Sequence, residues 1–380
     1  MTPLEEILGD LPPPGARVAV GLSGGVDSSM AAWLLTRRGC EVVALTMSVW
    51  DRALPLPDRG LSGCFGPGEE RDIASARATA AALGIEHRVV GLAGEYRETV
   101  LEYFRQEYLA GRTPNPCVRC NRAMKFGLLL ERAHAAGIAF DYFATGHYAR
   151  VADDAISGRR VLQRGLDPAK DQSYFLAMLR PEQLRPLALP LGRLRKTEVK
   201  ALARAAGFES HAERPESQDF IECEDYGVLF RPGELRPGDI TDEAGRVLGR
   251  HEGLVRYTIG QRKGLGIGGG GEPHYVVGLD AARNRVIVGR RESLRRRALR
   301  ATGCNWIALP SAPEAPIPCV ARIRFRHEGA PATIVRDPEA PDAVRVEFDA
   351  PQLSITPGQT AVFYRDDIVL GAGAISEAIG

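Results

Sequence analysis

AVGLSGGVDSSMAAWLL spans residues 19–35: an apolar run, a short segment of small and polar residues with one aspartate, and a second apolar run. The first run predicts a buried strand over 17–22 and the second a helix over 28–38, so that 23–27 form a strand-to-helix turn. Gly24 and Gly25 let the backbone take positive φ and bring its N–H groups close to a ligand. With the N-terminus of the next helix, these groups form a cradle for phosphate.

The polar side chains of this turn favour a nucleotide over a simple capped turn. The hydroxyls of Ser23, Ser28 and Ser29 can donate to phosphate oxygens. Asp27 beside a polyanion predicts Mg²⁺ or a hydrogen bond to backbone, and therefore a metal–nucleotide ligand. The turn is not a Walker A loop, because no Gly-Lys-Ser/Thr follows, and it is not the GxGxxG of dinucleotide-binding folds.

Strands alternate with helices up to about residue 205, which predicts an α/β domain with a parallel sheet. Further strands are expected over 41–47, 87–91 and 141–145, and helices over 70–83, 125–136 and 193–207. From residue 275 onward, short strand-like runs separated by turn residues predict a small antiparallel β-barrel. We expect domains at 1–207 (nucleotide-binding and catalytic), 208–290 (small and central) and 291–380 (barrel).

Composition narrows the class of protein. The 380 residues are 26% charged with a formal net charge of +1, and no window is apolar enough to span a membrane. The N-terminus lacks a secretory signal, so a cytoplasmic protein with no membrane partner is expected. The basic run RRESLRRRALR at 290–300 is interpreted as a solvated face. Seven cysteines in such a chain argue against a disulfide framework, and Cys64 is expected to be a small apolar filler.

GRTPNPCVRCNRAMKF at 111–126 carries two of these cysteines, Cys117 and Cys120, behind a loop stiffened by two prolines. A helix is expected to start near Cys120, and a thiol at a helix N-terminus has a lowered pKa. Zinc is the competing interpretation, but no second CxxC or HxxxH completes four ligands. The pair therefore indicates sulfur handling or an iron–sulfur centre.

Two further motifs lie beside predicted elements. ATGHYAR at 144–150 follows a strand, where open α/β sheets bind ligands, so a site role is expected for His147. KDQSYFL at 170–176 combines a cation, an acid and an amide before an apolar segment, and it is weak evidence when taken alone.

SGGVDS resembles the motif of the PP-loop ATP pyrophosphatases, which split ATP between its α and β phosphates and form an adenylated intermediate. Over nearly its whole length the chain resembles one family among them, the tRNA-specific 2-thiouridylases of the MnmA/TrmU type. The other motifs that carry this resemblance are MSVWD at 47–51, GRTPNP..CN..KF at 111–126, ATGHYAR, KDQSYFL, PESQD at 215–219, YTIGQRKGLG at 257–266 and TPGQ.AVFY at 356–364.

The resemblance implies that ATP, with Mg²⁺, adenylates C2 of the wobble uridine (position 34) of a tRNA whose base is flipped into the pocket. Sulfur from a donor protein or another sulfide source then displaces AMP to give 2-thiouridine. The implied ATP contacts are Gly21, Leu22, Ser23, Gly24, Gly25, Val26, Asp27, Ser28, Met47 and Gly146. The implied tRNA contacts are Asn115, Pro116, Cys117, His147, Lys170, Asp171, Gln172, Arg324, Phe325 and Gln359.

This sequence departs from the family pattern at both sulfur positions. Cys117 stands where an aspartate is usual, and the second cysteine is expected at Ile221, whereas the chain has Cys223. Three interpretations follow for the catalytic residues Cys117, Cys120 and Cys223. Cys223 carries a persulfide that Cys120 resolves by forming a disulfide bond, or Cys117 and Cys120 are the redox pair alone, or the three thiolates hold a [4Fe–4S] cluster.

Two rival functions share part of this pattern. An amidating PP-loop synthetase requires a glutaminase, for which no Cys–His–Glu pattern is present. A catalytically inactive RNA-binding module would need neither SGGVDS nor Cys120, so the presence of both argues against it.

Overall fold

The computed structural model describes residues 4–54, 56–58, 63–154, 157–209, 219–267, 272–340 and 342–380. Two predicted features, the glycine run 268–271 and most of PESQD, lie outside the described residues. The α-helices are α1 Leu4–Gly9, α2 Val26–Arg38, α3 Glu69–Leu83, α4 Ala93–Tyr96, α5 Glu102–Leu109, α6 Pro116–Cys120, α7 Leu129–Ala135, α8 Ser173–Leu176, α9 Pro181–Leu184 and α10 Lys196–Ala205, with π-helical turns at Arg97–Leu101 and Asn121–Leu128 and 3₁₀ turns at Tyr226–Leu229, Leu254–Arg256 and Arg291–Leu294.

The strands fall into a parallel sheet, a hairpin, a small central sheet and a barrel. They are β1 Arg17–Gly21, β2 Glu41–Ser48, β3 Glu86–Gly91, β4 Tyr142–Ala144, β5 Ala149–Asp153, β6 Arg160–Arg164, β7 Leu187–Ala188, β8 Gly238–Asp242, β9 Val247–His251, β10 Tyr275–Asp280, β11 Arg285–Gly289, β12 Arg295–Trp306, β13 Ile317–Arg322, β14 Ala330–Arg336, β15 Ala343–Leu353, β16 Thr360–Arg365 and β17 Ile368–Ile379.

The chain divides into two compact units, and the first contains Met1–Thr99, Cys117–Cys223 and Asp367–Val369. Its sheet has the order β3-β2-β1-β4-β7 and all its pairings are parallel. β1 is the buried centre, since Val18, Ala19 and Val20 are fully inaccessible. The strand order reverses between β1 and β4, and open α/β sheets bind ligands at the carboxyl ends of such a switch point.

The predicted α/β fold is confirmed, with small shifts of the element boundaries. α2 begins at Val26, two residues earlier than expected, and its N-cap is Gly25. Asp27 and Ser28 therefore belong to the first helical turn, where backbone N–H groups have no partner within the helix.

The second unit contains Val100–Pro116, Glu224–Asp366 and Leu370–Gly380. Its central sheet has the order β10-β11-β8-β9 around Ile240, Val276 and Val286, all fully buried. The predicted antiparallel barrel is also confirmed. Its six strands follow the order β12-β15-β14-β13-β16-β17, and pairing of β12 with β17 closes it, which removes the free sheet edges.

The basic run was only partly understood from sequence. Residues 295–306 form β12, a twelve-residue strand that pairs with both β15 and β17. Leu299 is fully buried on its inner face. Arg300 pairs on the other face with Asp337, Glu339 and Glu377, at 2.6 Å in each case. The run therefore has a charged face, as predicted. The strand that carries this face was not predicted, because arginine-rich segments lack the apolar pattern typical of strands.

Helix α5 belongs to the second unit, although the domain predicted from sequence at 1–207 includes it. The Arg105 side chain is 7% exposed and forms ion pairs with Glu102 and Glu234. Phe104 packs edge-on against Tyr226, with ring centroids 5.1 Å apart. The contacts of Arg105 with Glu234 and of Phe104 with Tyr226 join residues more than 100 positions apart, which no local pattern reveals.

No helix among the described residues is both long enough and apolar enough to cross a lipid bilayer.

Candidate active site

The turn after β1 is held open by glycine at the carboxyl edge of the sheet. Gly24 has φ +76°, and a Cβ there would lie 2.5 Å from the Asp72 carbonyl oxygen on α3. Ser75, also on α3, donates a hydrogen bond to the Gly24 carbonyl at 2.9 Å. The turn packs directly on a neighbouring helix, so only glycine fits at this position.

The serines brace this turn. The Ser28 hydroxyl accepts from the Ser23 N–H at 3.1 Å and donates to the Gly25 carbonyl at 3.0 Å. Ser29 is fully buried and also donates to the Gly25 carbonyl, at 3.0 Å. The expectation that Ser29 faces phosphate is wrong, because its hydroxyl is enclosed beside Thr79. The turn is pre-shaped, which reduces the conformational cost of binding.

Asp27 has two partners that the sequence did not reveal. The Lys196 ammonium, at the start of α10, donates to both carboxylate oxygens at 2.8 and 2.7 Å. The Tyr148 hydroxyl donates to Oδ1 at 2.7 Å. Both Asp27 oxygens thus accept hydrogen bonds from the protein, and Lys196 brings a cation to the helix end where phosphate is predicted to bind. Its separation of 169 positions from Asp27 leaves no local signal.

Gly146 and Met47 lie at the same edge of the sheet as the turn. A Cβ on Gly146 would lie 2.6 Å from the Asp27 carbonyl carbon and 2.7 Å from the Ser28 nitrogen. The loop after β4 therefore rests directly on the first turn of α2. Met47 is near the end of β2, next to Thr46, whose hydroxyl donates to the Leu22 carbonyl at 2.6 Å.

This close contact gives a first prediction: Gly146→Ala should weaken ATP binding by displacing the loop after β4 from α2. The new methyl group meets backbone rather than a flexible side chain, so the main chain must move. Gly94→Ala is the matched control, since nothing lies within 4 Å of a Cβ at that position. Calorimetric titration with ATP compares the two, and equal dissociation constants would contradict the packing argument.

His147 continues from this loop toward the cysteines. Burial first, and repulsion from Lys125 second, lower the pKa of His147 to about 3, so the imidazole is neutral. Its Nδ1 is 2.8 Å from the Thr145 hydroxyl, and its ring is 5.8 Å from that of Phe126. A contact between His147 and tRNA stays a prediction, and a neutral ring would bond or pack rather than pair with phosphate.

The polar residues of KDQSYFL are mainly engaged within the protein. Asp171 is 5% exposed and accepts from the backbone of Gly165 at 3.1 Å and of Ser173 at 3.0 Å. The Gln172 side chain accepts from the Tyr148 N–H at 2.9 Å. These bonds support the loop after β4, while Lys170 is partly exposed. The predicted tRNA contacts of Lys170, Asp171 and Gln172 stay predictions.

The helix that carries the paired cysteines begins at Pro116, not near Cys120, because proline favours the first helical position. Cys120 ends this first stretch and is only 6% exposed. Burial raises the pKa of Cys117 and of Cys120 to about 12. The expected lowering of the thiol pKa is therefore wrong for this state of the protein. The chain continues into a π-helical turn, a feature that often marks functional sites.

Two further residues act electrostatically on these thiols. Cys64 is exposed and acts electrostatically on both Cys117 and Cys120, so it is no apolar filler. Burial alone would lower the pKa of Lys125, but Cys64, Cys120 and Cys117 outweigh it and the pKa is raised. We call Cys64, Cys117, Cys120 and Lys125 the thiol pocket. Its members come from different motifs, so only the fold brings them together.

Cys223 follows a segment that is tied to the Cys64 loop. Gly63 bridges Asp219 in parallel register, and the Cys64 N–H donates to the Asp219 carbonyl at 3.3 Å. Glu222 is 4% exposed and accepts from the Gly68 N–H at 2.9 Å. Cys223 itself is partly exposed.

The thiols do not form a preassembled metal site. In the part of the chain that the structure describes, no three His, Cys, Asp or Glu side chains form a group that could hold a metal ion. Cys117, Cys120 and Cys223 are all described and do not form such a set. The cluster interpretation thus does not fit this arrangement of donors.

In the second unit, the TPGQ motif holds the TPNP loop. The Gln359 side chain donates to the carbonyls of Thr113 at 3.2 Å and Pro114 at 2.9 Å. Gly358 has φ +92°, and a Cβ there would lie 2.7 Å from the Thr113 oxygen. Asn115 is 8% exposed and its N–H donates to the Tyr103 hydroxyl at 3.4 Å. Gln359 therefore shapes the loop that precedes Pro116 and the cysteines.

Arg324 and Phe325 lie on an exposed turn after β13. Phe325 is 36% exposed, one of the more exposed large apolar side chains among the described residues. The Arg322 guanidinium is 6.0 Å from its ring centre. Arg324 donates to the Leu353 carbonyl at 3.3 Å. An exposed aromatic ring beside arginines is typical of RNA-binding surfaces, and the tRNA contacts of Arg324 and Phe325 stay predictions.

Family models match three consecutive segments: a tRNA methyl transferase HUP domain over residues 16–223, a tRNA methyl transferase PRC-barrel domain over 228–290 and an aminomethyltransferase beta-barrel domain over 296–375. A solved 4-thiouridine synthetase–RNA complex with bound ATP aligns weakly, with a TM-score of 0.35 at 18% identity over 53% of this chain and 43% of that one.

Relatives that match over nearly the whole length have much higher sequence identity. The tRNA-specific 2-thiouridylase MnmA of Roseiflexus castenholzii is 47% identical, covering 95% of this chain and 99% of its own. That of Symbiobacterium thermophilum is 46% identical, covering 97% and 94%. That of Endomicrobium trichonymphae is 44% identical, covering 94% and 98%. With such identity along nearly the whole length of both chains, the chain belongs to the tRNA-specific 2-thiouridylase MnmA family.

Proposed function

We propose that this protein is an ATP-dependent tRNA-uridine 2-sulfurtransferase acting on the wobble uridine at position 34. One observation carries the proposal: His147 joins the phosphate loop to the thiol pocket. Gly146 packs against the backbone of Asp27 and Ser28. The ring of the next residue, His147, packs against Phe126, and repulsion from Lys125 helps to lower its pKa. An adenylating site and a sulfur site are thus neighbours, as consecutive steps on one base require.

The first step makes an oxygen into a leaving group. The uridine O2 attacks the α-phosphate of ATP, the bond from that phosphorus to the bridging oxygen breaks, and pyrophosphate leaves. The braced turn over 22–25, the first turn of α2 and Lys196 supply hydrogen bonds and positive charge to the phosphates, whose charge they stabilise in the transition state. Mg²⁺ enters as a complex with ATP, since both Asp27 oxygens already have protein donors.

The second step replaces that oxygen by sulfur. A persulfide on Cys223 attacks C2, the C–O bond breaks and AMP leaves, so that the base is joined to Cys223 through an S–S bond. The Cys120 thiol, which burial keeps protonated at rest, then loses its proton and attacks the Cys223 sulfur. A Cys120–Cys223 disulfide bond forms, and the base leaves as the 2-thiouridine anion, which takes up a proton. A dithiol reductant restores the two thiols. Partial exposure of Cys223 suits sulfur loading from a donor protein, whereas buried Cys120 suits the internal step.

Cys117 is the alternative to Cys223 as the disulfide partner of Cys120, because it lies one helical turn from Cys120. We route no step through an iron–sulfur cluster, since the described donors do not fit one. The seven free cysteines suit a reducing compartment, and we propose the cytoplasm. We propose 1–207 as the catalytic domain, 208–290 as a central tRNA-binding domain and 291–380 as a C-terminal β-barrel domain.

The testing experiment supplies the purified protein with ATP, Mg²⁺, unmodified tRNA and glutathione persulfide. We expect AMP, pyrophosphate and 2-thiouridine at position 34 in equal amounts, measured by nucleoside mass spectrometry and phosphate assays. AMP formation that does not depend on tRNA, or the absence of 2-thiouridine, would refute the proposal. In a second reaction ATP is omitted, so that the persulfide stays on the protein. Peptide mapping of this protein then shows whether Cys223 or Cys117 carries the persulfide.

A further inference from the structure

One loop contacts both residues that hold the Asp27 carboxylate. We call residues 165–172, between β6 and α8, the KDQ loop, because the KDQ residues 170–172 end it. The Gln172 side chain accepts from the Tyr148 N–H at 2.9 Å, and the Gln172 N–H donates to the Tyr148 carbonyl at 2.8 Å. The Tyr148 hydroxyl in turn donates to Asp27 at 2.7 Å. A chain of hydrogen bonds therefore connects this loop to the phosphate loop.

A second connection passes through the start of α10. The Asp167 carboxylate accepts from the Lys196 N–H at 3.0 Å with one oxygen and from the Ala169 N–H at 3.1 Å with the other. The Lys196 ammonium donates to both Asp27 oxygens. This ammonium also lies 5.7 Å from the centre of the Tyr148 ring. The KDQ loop thus holds the main chain of both residues whose side chains hold Asp27.

The KDQ loop packs on Tyr148 on one side and is exposed on the other. Tyr148 is 2% exposed, and a Cβ on Gly165 would lie 2.7 Å from the Tyr148 carbonyl oxygen. Leu166, by contrast, is 47% exposed, and Lys170 is partly exposed. A ligand can therefore reach the outer side of the loop, while the inner side is in direct contact with the Tyr148 backbone. In the proposed function, on which this inference rests, that ligand is tRNA.

We infer that Tyr148 is a positioning residue that couples tRNA binding on the KDQ loop to ATP binding on the phosphate loop. When tRNA binds the KDQ loop, Gln172 and Asp167 fix the tyrosine and the lysine that orient Asp27. The Lys196 ammonium is then already in place for the phosphates, so ATP binds with less ordering of its site. Such coupling is reciprocal, and ATP raises the affinity for tRNA by the same factor.

The test measures how tRNA changes the affinity for an ATP analogue that cannot react. In α,β-methylene-ATP a carbon replaces the bridging oxygen that would leave, so binding is measured without adenylation. Calorimetric titration gives the dissociation constant of this analogue with and without saturating unmodified tRNA. We expect tRNA to lower the constant about tenfold in the wild type, within the range usual for coupled sites. The ratio of the two constants cancels any change in the affinity of a variant for the analogue alone.

Two variants break the two connections separately. Tyr148→Phe removes the hydroxyl bonded to Asp27 and keeps the ring beside Lys196. Asp167→Ala removes the carboxylate that accepts from the Lys196 N–H. We expect the ratio to fall close to one in each variant. The matched control is Tyr142→Phe, on β4 of the same sheet and partly buried against its core, which should keep the wild-type ratio. A purely structural role would lower thermal stability without changing this ratio.

Two results would overturn the coupling. One is a ratio of one in the wild type, a measurement that does not depend on how any variant folds. The other is the wild-type ratio in either Tyr148→Phe or Asp167→Ala. A wild type that shows the coupling but forms no 2-thiouridine contradicts the proposed function instead, so the two failures are distinguishable.

Discussion

Replacing Cys120 with alanine is expected to abolish 2-thiouridine formation while ATP binding stays nearly unchanged. The residue lies inside the thiol pocket, and its sulfur takes part in sulfur transfer whether Cys223 or Cys117 is its disulfide partner. Loss of a covalent nucleophile typically lowers kcat by more than about 10³-fold. The braced phosphate loop has its own contacts through Ser28, Ser75 and Asp27 and does not depend on this thiol. Nucleoside mass spectrometry and calorimetric titration with ATP measure the two effects.

Cys319→Ala is the matched control for the effect of removing a buried sulfur. Cys319 is 9% exposed in the barrel, and Cys120 is similarly buried. Both changes remove one sulfur atom and leave a small cavity, so comparable losses of thermal stability are expected. If 2-thiouridine accumulates in the Cys120 variant at the wild-type rate, the assignment of this nucleophile is wrong.

The thiol pKa values show where sequence reasoning reached its limit. A CxxC pair after a proline predicted reactive sulfur, and both cysteines indeed lie together with Lys125. Their raised pKa values depend on burial, which is a property of the folded chain. Local pattern also placed the helix start wrongly, because Pro116 rather than Cys120 opens it.

Other parts of the fold followed directly from local sequence. Alternating apolar runs and glycine-rich turns predicted β1, α2 and β2, since each of these elements depends on neighbours along the chain. The alternation of strands with helices then predicted a parallel sheet. Contacts between distant motifs did not follow. The hydrogen bonds of Lys196 to Asp27 and of Gln359 to the Thr113 carbonyl each join separate motifs, and one sequence carries no record of such pairs.

Asp27→Ala is expected to stop the reaction before any sulfur step. The change removes the carboxylate that holds Lys196 and Tyr148 at the phosphate site, so the ammonium loses its fixed position. Removing one preorganised electrostatic contact costs on the order of 10²–10³-fold in rate. AMP and pyrophosphate formation should therefore fall by about this factor, while loading of persulfide onto the protein continues.

The control for this variant is Asp141→Ala. Asp141 also accepts two hydrogen bonds from a cation, Arg17, at 3.0 and 2.7 Å, but both side chains are about half exposed. Such surface pairs contribute about 0–1 kcal/mol, and rates should not change. Because Lys196 is 9% exposed and would lose its partner, the Asp27 variant is also compared by thermal unfolding with Asp27→Asn, which keeps the side-chain shape. A folded Asp27→Ala protein that forms AMP at the wild-type rate would show that this carboxylate has no part in adenylation.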